Sequence, residues 1–322
     1  MSRYSEIDLS GIRRRSIEGH ARIVAQEMSS HPPVDPDSFS QFWDGLPDIL
    51  AARDLKQLAS RLVDARLEAR PVLLFMGAHL IKTGLTPLLV RLMDEGLLTS
   101  IASHGAGLVH DLELTLFGRT SEDVGEGLET GDFGMDLETS SFINNWTREA
   151  AAAGEGLGEG LGRRILEEAE RRGLDPDAGW LSAAYRRGIP ATIHGSIGTD
   201  IYQQHPEFNG ASFGETSTRD FRILAHQVSL AEGGVILNWG SAVILPEVFL
   251  KALSVARNLG HPVTDLTTAV FDFMKHYRPA ENVVRRPTQA SGWGTYIVGH
   301  HEIMIPLFVQ GLLLELKRRQ ER

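Results

Sequence analysis

Short apolar runs that stop at glycine, each joined to a helical pattern, constrain this chain more than any other feature. Val72-Leu-Leu-Phe-Met76 runs straight into Gly77, and a run of that length and composition reads as a strand buried on both faces. An amphipathic helix over Leu85 to Glu95 follows. Leu98 to Ser103 repeats the pattern, ending at His104-Gly105-Ala106-Gly107 before a helix over Leu108 to Phe117. Trp180 to Arg187 is predicted helical, Pro190 to His194 a strand, and Gly195-Ser-Ile-Gly198 a turn. Val235 to Asn238 closes at Gly240 before a helix over Pro246 to Asn258. Leu266 to Phe271 and Tyr296 to Val298 supply further strands, and Ile303 to Lys317 a last helix. Repeated strand–helix units with buried strands require a mostly parallel sheet covered by helices on both faces. The expected class is α/β, doubly wound and Rossmann-like.

Before Pro71 the pattern differs. Glu18 to Met28 and Phe42 to Leu67 carry apolar residues at three- and four-residue spacing, divided by the turn His31-Pro-Pro-Val-Asp-Pro36. Residues 1–70 are therefore expected to form a helical N-terminal arm, with Asp37 or Ser38 capping the second helix, and residues 71–322 the α/β domain. Residues 120–162, rich in glycine and acidic side chains, are expected to be a long irregular excursion. The glycines from Gly154 to Gly162 inside it read either as a flexible or tightly packed loop or as a phosphate cradle.

Composition narrows the chemistry. The chain has no cysteine, which excludes disulfides, thiolate zinc sites, iron–sulfur clusters and cysteine nucleophiles. A net charge of −10 argues against nucleic acid as a partner, because phosphate binding needs a basic surface. It suits a small cationic amine. No apolar run reaches membrane-spanning length, and Met1-Ser-Arg-Tyr-Ser-Glu-Ile-Asp is too polar for a secretory signal. A cytoplasmic enzyme with no membrane partner is expected.

Ligands of open parallel sheets bind beyond the carboxyl ends of the strands. Here those ends carry Gly77-Ala78-His79, His104-Gly105, His194-Gly195-Ser196 and Asn238-Trp239-Gly240. Glycine turns at such places let backbone amides approach a phosphate, although none of them is a GxGxxG fingerprint. His194, with an unperturbed pKa near neutrality, suits a general base.

These residues meet a family. Gly77-Ala-His-Leu-Ile-Lys-Thr-Gly84 resembles the Thr-Ser-Asn-Leu-Ile-Ser-Ser-Gly segment of deoxyhypusine synthases, and His104-Gly-Ala-Gly-Leu-Val-His-Asp111 is similar to their Thr-Ala-Gly-Gly-Val-Glu-Glu-Asp. Gly195-Ser-Ile-Gly-Thr-Asp200 looks like their Gly-Ser-Leu-Gly-Asp, with Asp200 one residue later than its counterpart. Gly233-Gly-Val-Ile-Leu, Arg286-Pro287 and Ser291-Gly-Trp-Gly-Thr295 complete a colinear order over residues 70–318. The resemblance implies a deoxyhypusine synthase-like fold, a homotetramer with sites at a dimer interface, and bound NAD. It also implies oxidation of an amine to an imine and transfer of an aminobutyl-type group. Gly77, Ala78, His79, His104, Gly105, Asp111 and Ser196 would hold the cofactor, with Asp111 serving a ribose or only a helix cap. His194, Asp200 and Thr295 fall at catalytic positions.

Thr295 stands where the family has its catalytic lysine, and threonine cannot form an imine. The family's acidic polyamine loop falls on Tyr277 to Arg285, which with Arg286 is basic here. Trp293, Arg285 and Arg286 are therefore candidates for substrate contacts, the arginines for a carboxylate or phosphate, unless the cluster is a solvated loop or a subunit contact. Trp239 and Trp293 wall an amine pocket or fill the core. Lys82 and Lys251 are the candidates to replace the missing nucleophile. Two other readings stay open: a metal-dependent hydrolase using His79, His104, His194 and His300-His301, and a non-catalytic tetramer that binds NAD or polyamine.

Overall fold

The computed structural model describes residues 37–321 together with His31 and Asp35. The helix expected over Glu18 to Met28 lies outside them. Contacts divide the chain into two compact units, Met1–Arg53 and Asp54–Arg322. In the first, the helix Phe39–Gly45 is capped by Ser38, whose hydroxyl accepts the Gln41 amide at 3.3 Å. The single helix expected over Phe42 to Leu67 is broken at Leu46-Pro47, and a second helix spans Leu50–Leu67. Proline removes an amide and forces the residue before it out of the helical region, so a break there follows.

The second unit is built on six parallel strands: β1 (Val72–Met76), β2 (Ser100–Ser103), β3 (Ala191–Ile193), β4 (Val235–Trp239), β5 (Thr267–Asp272) and β6 (Trp293–Val298). Their spatial order is β3-β2-β1-β4-β5-β6. Every residue of β1, β4 and β5 is buried, as the continuous apolar runs require. On one face Leu73, Phe75, Ile236 and Val270 pack with Leu224, Val228 and Phe249 from the helices Gly210–Ser229 and Ile244–Asn258. On the other, Trp239 and Phe271 meet Phe308 at ring separations of 6.4 and 5.2 Å. Phe308 belongs to the last helix, His301–Gln320. Helices therefore cover both faces, and the sheet is doubly wound.

The stretch 120–162 is not irregular. It forms the helices Val124–Thr130 and Leu137–Ala153 and the start of Leu157–Arg172. Its glycines serve packing: a Cβ on Gly158 would lie 2.1 Å from the Ala191 carbonyl, and one on Gly160 would lie 2.3 Å from Ala150. Among the described residues no helix is long and apolar enough to cross a membrane.

Candidate functional site

The strand order reverses between β1 and β4, and a doubly wound sheet opens a crevice at that switch. Gly77 follows β1 and Gly240 follows β4; a Cβ on Gly77 would sit 2.1 Å from the Gly240 carbonyl. Only glycine lets the two turns come this close. Beyond Gly77 the short helix His79–Lys82 begins, and its N-cap, Ala78, offers no side-chain bond to the first-turn amides. The His79 ring lies 5.4 Å from that of His301. Burial, then the neighbouring His301, lowers the His79 pKa and favours neutral imidazole. His301 is buried, and its Nε2 lies 3.0 Å from the Phe271 carbonyl. That bond places the ring proton on Nε2, so Nδ1, which is buried without a partner, is left as an acceptor.

Next to the crevice, on the β2–β3 side, lies a pocket of about 670 Å³. Its walls come from the helix Gly105–Phe117, from residues 119–139 and from the turn 199–201. Lys82, the last residue of the four-residue helix that starts at His79, also lines it. One hydrogen-bonded chain organises the wall. Thr139 donates to Glu113 Oε1 at 3.1 Å, and Thr120 donates to Glu113 Oε2. Thr120 Oγ1 lies 2.7 Å from His110 Nδ1. Since the one hydroxyl proton of Thr120 goes to Glu113, Nδ1 must donate and Nε2 keeps its lone pair. Burial, with help from Lys82 and His104, pushes the His110 pKa down to about 4. His110 is thus a neutral base with an assigned tautomer. Burial raises the Glu113 carboxyl, and the nearby Asp136 and Glu122 charges act in the same direction.

Asp200 closes the inner end of the pocket. Its carboxylate fills the space where a Cβ on Gly105 would lie, 2.1 Å from Oδ2. Tyr202 donates to it at 3.1 Å and Gln203 at 3.3 Å. Burial pushes the Asp200 pKa up to about 6.

The structure gathers some of the expected residues and disperses others. Gly77, Ala78 and His79 meet at the switch crevice; His104, Gly105 and Asp200 meet beside the pocket. Ser196 lies in the turn after β3, where its carbonyl accepts from Thr199 and Gln203 at 2.9 and 3.0 Å. His194 is buried, its pKa pushed down to about 4, and its Nε2 lies 3.0 Å from Thr192 Oγ1. It does not line the pocket. Asp111 is fully buried, with its two oxygens accepting the Trp180 and Leu181 amides at 2.6 and 3.2 Å. It caps another helix, and full burial puts it out of reach of a ribose.

Thr295 and Trp293 are placed away from the carboxyl edge. Trp293 pairs with Thr267, the first residue of β5, and Thr295 pairs with Ala269 in mid-sheet. Thr295 donates to Asp54 Oδ2 at 2.8 Å, tying β6 to the helix Leu50–Leu67. Arg61 from the same helix stacks over Trp293 at 5.3 Å. Trp239 is core. The cations of the expected cluster pair with acids of their own neighbourhood, two arginines to one carboxylate and one to another: Arg285 and Arg286 with Glu281, and Arg278 with Glu247. Lys251 also pairs with Glu247. Of the strand-end histidines, His79 and His301 come together, but among the described residues no three His, Asp or Glu side chains form a metal-ligand group.

The His110–Thr120–Glu113 chain escaped the sequence reading. Its one sequence signal is the spacing of His110 and Glu113, which puts both on one helix face.

No protein-family model and no curated protein matches this chain. Solved structures do. AgrE, in its ternary complex with ornithine and NAD+, matches over 84% of this chain at 18% identity, with a TM-score of 0.52. ArgZ, an arginine dihydrolase from the ornithine–ammonia cycle in Cyanobacteria, matches over 83% at 18% identity and a TM-score of 0.50. In each case the chain spans 33% of the larger protein. A putative deoxyhypusine synthase from Entamoeba histolytica matches over 88% of this chain and 97% of its own at 11% identity, with a TM-score of 0.52. At identities this low the likeness is one of fold, and the doubly wound, deoxyhypusine synthase-like sheet expected from the sequence is the one observed.

Proposed function

We propose that the chain is an NAD-dependent enzyme that oxidises an amine to an imine and transfers the alkylamine group to a small amine. The observation that carries this reading is the adjacency of two sites across one four-residue helix. His79 faces the switch crevice, and Lys82, three residues on, lines the pocket. A dinucleotide fits the crevice in two respects. The Gly77 and Gly240 amides bond to the Trp239 and Phe271 carbonyls, so the turns contribute room free of side chains, the amides at the start of the helix after Ala78 would meet a diphosphate, and the orphaned His301 Nδ1 is an acceptor for a sugar hydroxyl. A bound nicotinamide would supply a hydride acceptor. The fold neighbour that holds ornithine and NAD+ together gives the reading support.

The chain's own groups divide the remaining work. An amine must lose its ammonium proton before hydride can leave the adjacent carbon, and neutral His110, with Nε2 free, is placed to take it once desolvation in the pocket has lowered the ammonium's own pKa toward that of the imidazole. Glu113 and Asp200 hold the cation. Thr295, bonded to Asp54 in mid-sheet, plays no part in a covalent relay. The acceptor amine adds to the imine, directly or after Lys82 of the pocket wall has done so, the donor's original amine leaves carrying a proton, and the new imine would be reduced by return of the hydride that a bound nicotinamide had accepted. Phe273, Met274, Tyr277, Val298 and Ile303, all exposed, rim the carboxyl edge of β5 and β6 and suit the contact of a homotetramer.

Calorimetric titration with NAD tests the reading. Saturation near one NAD per subunit is expected, with His110→Ala retaining NAD binding and losing amine-dependent NADH formation. Absence of binding at millimolar NAD would sink it.

A further inference from the structure

Glu113 holds two parts of the chain at once. Its Oε1 accepts Thr139, in the first turn of the helix Leu137–Ala153, and its Oε2 accepts Thr120, at the start of the segment that runs along the pocket. Glu113 and His110 lie three residues apart on one face of the helix Gly105–Phe117. One carboxylate on a packed helix therefore clasps the near end of the segment to the wall that carries His110.

The segment beyond Thr120 rests lightly on the rest of the fold. Its helix, Val124–Thr130, buries no residue, and Val124 and Leu128 stand exposed. Its far end is tied at Gly134, whose carbonyl accepts His205 Nε2 at 2.8 Å and whose missing Cβ leaves room for Ile201. Elements with so little buried surface are the first to open. Gly118 and Gly134 bound the segment in left-handed conformations, with φ of 68° and 76°. Ser121, next to Thr120, is left-handed as well, at 69°, a conformation that a residue with a Cβ keeps only where its surroundings impose it. Ser121, Glu122, Val124 and Phe133 all line the pocket, so movement between these joints uncovers it.

Thr120 also decides where the proton of His110 sits. It donates to Glu113 and so accepts from His110 Nδ1, which leaves Nε2 bare. Once the clasp opens, Nδ1 loses that acceptor. A free imidazole prefers its proton on Nε2, the atom that must be bare to act, because the tautomer follows the bond made by the other nitrogen. We infer that residues 119–133 are a lid over the pocket, and that Glu113 and Thr120 are positioning residues that ready His110 only while the lid is shut. The inference rests on the reading of His110 as the base and adds that this base works in the closed pocket alone.

Nitrogen NMR of the full chain, labelled in its histidines, reads the tautomer at pH 7.5, and hydrogen exchange reads the lid. Neither needs a substrate. The His110 signal is the one lost in His110→Gln. In the wild type it should carry its proton on Nδ1, and amides 121–133 should exchange faster than those of the helix Gly105–Phe117. Thr120→Ser, which keeps the hydroxyl, should preserve both. Thr120→Val and Glu113→Leu should each move the proton to Nε2. Each should also speed exchange over 121–133 about tenfold, the effect of losing a hydrogen bond to a charged group, while β1 and β4 exchange as before. A wild-type His110 protonated on Nε2 overturns the assignment before any variant is made. Nδ1–H surviving in either variant does the same, as does exchange over 121–133 that either leaves unaltered. The expected spectra from a protein that binds no NAD would keep the lid and its clasp and remove only the dehydrogenase chemistry, so the two failures are distinguishable.

Discussion

Three helices of this chain begin at a glycine whose missing Cβ makes room for an aspartate from elsewhere. At Gly156, ahead of the helix Leu157–Arg172, the intruder is Asp220, 2.0 Å from where a Cβ would lie; at Gly179, ahead of Trp180–Arg186, Thr115 Oγ1 lies 2.1 Å from that point and the Asp111 carboxylate 3.0 Å. At Gly105 it is Asp200, 2.1 Å away. The first two are sealed. Asp220 accepts the Gly158 and Ile193 amides at 2.9 and 2.7 Å, and Asp111 accepts those of Trp180 and Leu181. Asp200 takes only side-chain donors, and its carboxylate faces the pocket. The same device thus closes two helix termini and leaves a third open. A carboxylate bonded to buried amides is committed to the fold, whereas one held by a phenol and an amide side chain beside a cavity remains available to a cation.

The largest expected effect separates these roles. Asp220→Ala strands two buried amides, each costing about 1–3 kcal/mol, and should lower unfolding free energy by about 2–5 kcal/mol. Asp111→Ala should do the same. Asp200→Ala should cost about 1 kcal/mol or less, because pocket water can take the place of the lost acceptor. Urea midpoints of the three variants decide it. A loss at Asp200 as large as at Asp220 would break the comparison.

Asparagine sharpens it. In Asp220 both amides bond one oxygen, Oδ2, while Oδ1 has no partner; an asparagine oxygen can replace Oδ2 at a cost under about 1 kcal/mol. In Asp111 each oxygen takes one amide, so an asparagine must point its own N–H at a donor. Asp111→Asn should therefore cost about 1–3 kcal/mol. Burial raises both carboxyls, Asp111 to about 7 and Asp220 further. Burial pushes Asp220 up to about 8 from an unfolded value of 3.8, against the pull of its two amides. The fold binds that proton more tightly than the unfolded chain does, so stability from this group is complete below pH 3.8 and is lost as pH rises to about 8. Asp220→Asn should flatten stability between pH 5 and 8. An unchanged slope would show that Asp220 is ionised in the fold throughout.

What the sequence revealed follows the same division between sealed and open structure. β1 and β4 were legible because strands buried on both faces must be apolar throughout and end in the glycines that the switch point needs. The sequence pattern starts β6 three residues late, at Tyr296 rather than Trp293. Gly292 and Gly294 look like a turn, but Gly294 is in the strand, with a Cβ position 2.8 Å from the Val284 carbonyl. That shift moved Thr295 from an expected strand edge to mid-sheet. The helix Gly210–Ser229 was not read at all. Its first turn, Gly210-Ala-Ser-Phe213, is poor in helix formers, and its start depends on Asn209 accepting the Ser212 amide at 2.9 Å. Asp111 reads as a ribose contact or a cap, and Asp220 carries no local signal, because the amides they accept lie 69 and 70 residues away for Asp111 and 27 and 62 for Asp220. The pocket was invisible for a similar reason. His110 and Thr120 meet only because the chain turns back after Phe117, and local pattern carries no record of that.

The smallest effect on stability should be the most informative about function. Asp200→Asn keeps the size of the side chain and an acceptor for Tyr202, so the urea midpoint should move by no more than about 1 kcal/mol. The pocket, however, loses a negative charge, and its affinity for an ammonium ligand at pH 7.5 should fall about tenfold, the scale of one charge-assisted bond. The wild-type protein should approach the same weakened state unaided as pH drops below about 6, where Asp200 takes up a proton. In the variant that part of the pH dependence should vanish. Calorimetric titration of 1,4-diaminobutane at pH 5.5 and 7.5, on both proteins, reads all four values. If the variant binds as tightly as the wild type at pH 7.5, Asp200 is a third structural cap, and the open terminus at Gly105 has no part in holding the ligand.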